Sequence, residues 1–405
     1  MAIKYGQSAL SLAQLTGKDE KQSDVFRLFA FIKWRIGDYT AGQLYAKEAH
    51  RLARITGYLY KEAHGLRIEA LNWKELGNYT QCISLANRAR SLLDMCGLPH
   101  GFEGNALRTL LGEVQRHKTE YVEAHSMHNQ VAQAAVNDPY SHGISLINMA
   151  DIEVPMGTAK HEIQRKITVA QTIFKVIENV DSSPVCDMVQ AGLNLREGDM
   201  STLLFCKCLR ASWGNNSEVV SYCLERLGDI NCWEKNGHHE SSWSTVLLAH
   251  SLRQKEKLGI HKGLQFIGDI FLQENDEVTA ISLFTLALQG FTLMDVHGSR
   301  AECMIRLGDI SERNGNLFNA LELWEMARPL FERSLQTKQT QAIDKRMSRV
   351  NQDVKEQYQK NLAHLVELSA PAGKVVVVVV EEEEEEEDSE IELELDEAEV
   401  EKVVV

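Results

Sequence analysis

The chain has 405 residues, 44% hydrophobic and 25% charged, with a formal net charge of −15; residues 381–405 hold fifteen Asp and Glu against one Lys, so that segment carries −14 and the rest of the chain −1. A nearly neutral body lacks the basic face that nucleic acid requires, and the eight cysteines form no CxxC pair, which argues against a zinc framework and for a reducing, cytoplasmic setting. No basic leader precedes an apolar run, and no stretch of about 18 apolar residues is read as able to span a bilayer, so no membrane partner is expected.

In chain order, Ala2, Ala9, Ala13 and Gly17 recur as Gly42, Ala49, Ala53 and Gly57, then as Cys82, Ala89 and Gly97, each set forty residues after the last. A fixed period of this size, with small residues at helical spacing, predicts a solenoid of helical hairpins. Residues 1–17 then read as the second helix of a repeat whose first helix is missing. Such an end exposes an apolar face, so self-association through it is expected. Gly17, Gly57 and Gly97, with Asn137 at the next step, suit the left-handed residue that ends a helix.

Eight full repeats follow at about 18–57, 58–97, 98–139, 140–182, 183–218, 219–258, 259–298 and 299–335. Gly37-Asp38-Tyr39, Gly77-Asn78-Tyr79 and Gly315-Asn316-Leu317 form the turn inside a pair: glycine takes the unusual dihedral, Asp or Asn caps the next helix, and the apolar residue anchors its first turn. Gly112, Ala150, Ala191, Gly228, Gly268 and Gly308 are the small residues that let helices approach closely. Pro155 is expected to end the first helix of the fourth repeat.

The period is plainest at the end of the array. Met304, Leu307, Gly308, Ala320, Trp324 and Ala327 repeat Leu264, Ile267, Gly268, Ala280, Phe284 and Ala287, with LGDI, IGDI and LGDI at 227, 267 and 307. Between them the turn from Trp233 to Trp243 carries His238, His239 and Glu240; a polar turn has the same composition as the start of a metal or acid/base site, so no metal is assigned there. Residues 336–368, with Ile343, Met347, Val350, Val354, Tyr358, Leu362 and Leu365 on one stripe, read as a capping helix. Residues 369–405 read as a disordered acidic tail, because Glu381 to Glu387 repel one another in any compact form.

These positions make residues 1–335 similar to the forty-residue class of tetratricopeptide repeats, and within it the chain resembles the C-terminal repeat arrays of fungal STAND-type NTPases. The resemblance implies a right-handed all-α solenoid and a non-catalytic scaffold or sensor that binds a protein or peptide in its concave groove. The alternative it implies is the sensor region of a nucleotide-driven switch whose NTPase core lies upstream. The chain's Gly-Lys pairs, Gly17-Lys18 and Gly373-Lys374, lack the earlier glycine of a phosphate-binding loop, and no Gly-x-Ser-x-Gly elbow is present. Neither an enzyme nor a cofactor is expected. In the tetratricopeptide family the position after the close-packing small residue faces the groove; here it is Glu113, Asp151, Asp229, Asp269 and Asp309, so the resemblance implies a carboxylate stripe suited to a basic partner.

Overall fold

Two adjacent residues set the joint inside the helical pairs. Gly37, Gly77 and Gly315 stand at φ 82°, 72° and 75°, and the side chains of Asp38, Asn78 and Asn316 accept the backbone N–H of Ala41, Gln81 and Asn319. A left-handed residue ends one helix and a cap starts the next, so the chain reverses without leaving helical N–H groups unpaired.

The structure, a computed structural model, describes residues 2–179, 182–199, 201–234 and 240–369. His238, His239 and the acidic segment after Ser369 lie outside them. Among the described residues there are eighteen helices and no strand. After α1 (Ala2–Leu15), the pairs are α2 (Asp19–Arg35) with α3 (Tyr39–Ile55), α4 (Leu59–Glu75) with α5 (Tyr79–Met95), α6 (Phe102–His117) with α7 (Tyr121–Ala134), and α8 (Pro139–Met156) with α9 (Lys160–Val176). They continue as α10 (Ser183–Arg196) with α11 (Thr202–Ser212), α12 (Ser217–Glu234) with α13 (Glu240–Gln254), α14 (Lys257–Gln273) with α15 (Glu277–Met294), and α16 (His297–Arg313) with α17 (Leu317–Arg333), before the long α18 (Thr337–Ser369). Each first helix packs on its partner, and first helices of successive pairs also touch, from α2 and α4 through to α12 and α14.

Close approach explains the small residues. A Cβ at Gly308 would lie 2.5 Å from Nε1 of the buried Trp324, and one at Gly268 would lie 2.7 Å from Phe284. Ala150 and Ala191 are fully buried.

Three expectations need correction. Asn137 does not take the left-handed conformation; that position at other junctions is held by Glu178, Lys255, Asp295 and Leu335, at φ 53° to 59°, because packing of the flanking helices fixes the turn whatever residue stands there. The helix containing Pro155 runs one residue past it, to Met156, and is ended by Gly157 at φ 77°. Finally, α15 is apolar enough by length and composition to cross a membrane, with mean hydropathy 1.4; the expected absence of such a stretch fails because Thr, Ser and Gln interrupt the apolar residues without adding charge. In the structure Ala280, Phe284, Ala287 and Phe291 turn one face of this helix into the core.

Residues up to Val350 form one compact unit. Within it the chain meets itself four to five repeats later. Tyr79, Leu107 and Leu110 share a core cluster with Phe291, Met294 and Val296, a Cβ at Gly77 would lie 2.6 Å from Lys257 and 2.8 Å from Met294 Sδ, and one at Gly37 would collide with Gln254. As a result α4 is enclosed on nearly every side: Glu62, Arg67, Glu69, Lys74 and Glu75 are buried along with Leu66 and Ile68. Charged residues buried together must be paired. That requirement shapes the interior.

Candidate functional site

The first helices of the pairs surround a cavity of about 410 Å³. Its wall comes from α2, α4, α6, α8, α10, α12 and α14 and from the loops that lead into them. Part of the wall is aromatic and open to the space: Phe31, Phe102 and Tyr140 keep 41%, 51% and 40% of their surface exposed. The remainder mixes aliphatic residues such as Leu71, Leu110 and Val189 with a charged part, where Glu75, Glu113, Asp151 and Glu218 stand beside Arg35, Arg67 and Arg116.

Lys74 organises the charged part. Its side chain is fully buried, and Nζ stands 2.7 Å from Glu113, 3.0 Å from Glu218 and 3.1 Å from Glu75. Burial opposes the ammonium charge, but Glu113, Glu218 and Glu75 together hold its pKa well above the ordinary lysine value. One cation cannot fully compensate three carboxylates. Burial raises Glu75 to about 7 against the attraction of Lys74, and it raises Glu113 as well.

Asp151 comes next along the wall. Arg116 lies 3.4 Å from it and the Tyr222 hydroxyl donates to it at 2.8 Å, while the guanidiniums of Arg116 and Arg226 stand over the Tyr222 ring. Beyond the cavity wall the ladder continues. Asp229 pairs with Arg226 at 2.8 Å, Asp269 with Arg306 at 2.5 Å, and Asp309 with Arg346 at 3.2 Å and with the Trp324 indole N–H at 3.2 Å.

Of the five acids singled out in the sequence, the structure therefore brings Glu113 and Asp151 to the cavity and places Asp229, Asp269 and Asp309 further along the same ladder. Each is matched by a cation, so the ladder alternates in sign and is no row of free carboxylates. The cations Lys74, Arg116, Arg226, Arg306 and Arg346, together with Tyr222 and Glu218, are what the sequence reading missed. A signal existed for several of them: Arg306 lies 37 residues after Asp269, and Lys74 lies 39 before Glu113, close to one period.

No protein-family model matches the sequence, and a search of curated proteins by sequence also finds no match. Solved structures do resemble it. The fold is similar to that of a Rap protein whose crystal structure is a complex with competence and sporulation factor, with a TM-score of 0.53 and 11% identity over 83% of this chain and 99% of that one. The chain is a tetratricopeptide-like helical solenoid. A STAND signal transduction ATPase with a tetratricopeptide repeat sensor, from Pyrococcus horikoshii, aligns at a TM-score of 0.47 and 10% identity over 80% of this chain and 53% of that one, so the chain spans about half of that protein's length.

Proposed function

We propose that the chain is a non-catalytic interaction protein, a scaffold or sensor, that takes a peptide or an extended protein segment into the cavity between its first helices. The observation that carries this reading is the wall itself: exposed aromatic rings next to a charged surface in a cavity of about 410 Å³, a size and mixture suited to a few side chains of a ligand. The Rap protein of similar fold was crystallised with competence and sporulation factor, which agrees with a binding role. Carboxylates outnumber guanidiniums on the wall, and three of them share Lys74, so the preferred segment carries a cationic side chain.

Three of the buried thiols and two of the buried histidines offer no nucleophile or acid for catalysis. Burial pushes the thiols of Cys82, Cys186 and Cys303 up to about 12, and it lowers His64 to about 2 and His128 to about 3. These groups are neutral near pH 7 and poor nucleophiles or acids there. Free cysteines on the described helices fit the cytoplasmic location we propose.

The test is selection of short random peptides on the full-length chain, with hydrogen exchange to map where they bind. Protection should fall on α6, α8 and α12, the peptides should be enriched in Lys or Arg, and Phe102→Ser with Tyr140→Ser should abolish capture. Retention unaffected by that variant, with protection only on α3, α5 or α17, would overturn the reading.

A further inference from the structure

The turn between α6 and α7 gives up its local roles. At the equivalent turns, Gly37, Gly77, Gly157, Gly198, Asn275 and Gly315 supply the left-handed residue; here it is Thr119 at φ 65°, the one β-branched residue among the described residues of positive φ. A β-branched side chain is disfavoured in that conformation. The next residue, Glu120, stands at the N-cap, where Asp38, Asn78 and Asn316 bond the helix, yet its side chain makes no cap bond.

Both side chains instead reach the chain 177 to 213 residues later. Thr119 Oγ1 accepts the N–H of Gly298 at 2.9 Å, and the Lys118 carbonyl accepts that of His297 at 3.2 Å. Glu120 meets His297 Nε2 at 3.1 Å and Arg333 at 2.5 Å, and Lys118 Nζ lies 2.8 Å from Asp295. Ligand-type atoms of Glu120, Asp295 and His297 fall within 4.8 Å of one another, but Lys118, Arg300 and Arg333 already stand on these carboxylates. The group is therefore a set of ion pairs and no seat for a divalent cation.

We propose that this contact is a latch: the superhelix of residues 1–350 closes on itself here and opens here, and opening admits the partner to the interior. The gating half rests on the interior being the binding site; the opening half does not. The polar members of the latch stand beside an apolar contact, in which Met294 and Val296 share a core cluster with Tyr79, Leu107 and Leu110, so the ion pairs set how readily the contact parts and do not carry it alone. Its charged members also remain in reach of salt, since the side chains of Asp295 and Arg333 are 48% and 55% exposed.

Small-angle scattering and amide exchange of the full-length chain, with no ligand, test the opening. Raising salt from about 0.1 M to about 1 M shortens the screening length from about 10 Å to about 3 Å. The radius of gyration should rise, and exchange at His297 and Gly298, whose N–H groups bond across the contact, should quicken while far-UV helicity stays constant. Glu120→Gln with Asp295→Asn should be expanded at both salts. An oxidised Thr119→Cys, Gly298→Cys pair should stay compact at both, recover salt sensitivity on reduction, and capture selected peptides more slowly than its reduced form. Scattering and exchange that are indifferent to salt and to the Glu120→Gln, Asp295→Asn variant would overturn the latch. Equal capture rates for the oxidised and reduced pair would overturn the gating. Absence of any captured peptide would count against the interior as a binding site, while scattering still decides the opening.

Discussion

Lys74 on α4 and Glu218 on α12 meet at 3.0 Å although 144 residues separate them. The same ammonium holds Glu75 and Glu113, so one side chain ties three first helices together across the interior.

Removing that cation should be far more damaging than an ordinary surface change. Lys74→Met leaves buried carboxylates without a counter-charge and should lower stability by about 3–5 kcal/mol. Urea denaturation followed by far-UV circular dichroism measures this. A loss under about 1 kcal/mol would mean that Glu113 and Glu218 turn to water when the lysine is gone.

Glu75 sets a pH dependence. Its pKa in the fold is about 7, raised from an ordinary value of 4.5. Between those values the folded state holds a proton that the unfolded state has released, so this group's contribution falls as pH rises from about 4.5 to about 7. Because Glu75, Glu113 and Glu218 share Lys74, the proton belongs to the cluster. Glu75→Gln should match wild type near pH 5 and exceed it by about 1–3 kcal/mol near pH 8. Parallel melting curves for the two proteins at both pH values would contradict the raised pKa.

Gly308→Val should destabilise the last pairs by about 1–3 kcal/mol, because even the first added carbon lies 2.5 Å from Trp324 Nε1. The indole also donates to Asp309, and a displaced ring would lose that bond. A thermal melt superimposable on wild type would show that Trp324 can rotate away freely.

We propose self-association through α1. Tyr5, Leu12 and Leu15 are exposed along one side of the helix, while Phe29 packs against Gly6 on the other. Light scattering across a dilution series should show association that Leu12→Lys with Leu15→Lys removes. A wild-type chain that stays monomeric throughout would end this proposal.

How much of this was legible in the sequence depends on the distance over which each feature acts. Turns such as Gly77-Asn78-Tyr79 announce themselves because dihedral, cap and anchor sit in three consecutive residues. Close approaches such as Gly308 to Trp324 were legible because two helices of one pair repeat with the period. The pairing of Asp269 with Arg306 was half visible, since the spacing is close to one period, but a single sequence does not say which long side chain reaches across. Contacts such as Thr119 with Gly298 leave no periodic mark. Their only trace is negative: a threonine where glycine fits better, and a glutamate where an asparagine would have capped.

Contacts between distant pairs also change how the chain comes apart. An array joined only to its nearest neighbours frays from its ends, one hairpin at a time. Here Arg333 of α17 holds Glu120 beside α7, so the last pair cannot leave without loosening the third. The chain should therefore unfold in fewer and larger steps than its repeats suggest. During synthesis it also waits: α4 emerges with Lys74 long before Glu218 exists, and the ring around its charge closes only after 144 more residues have followed.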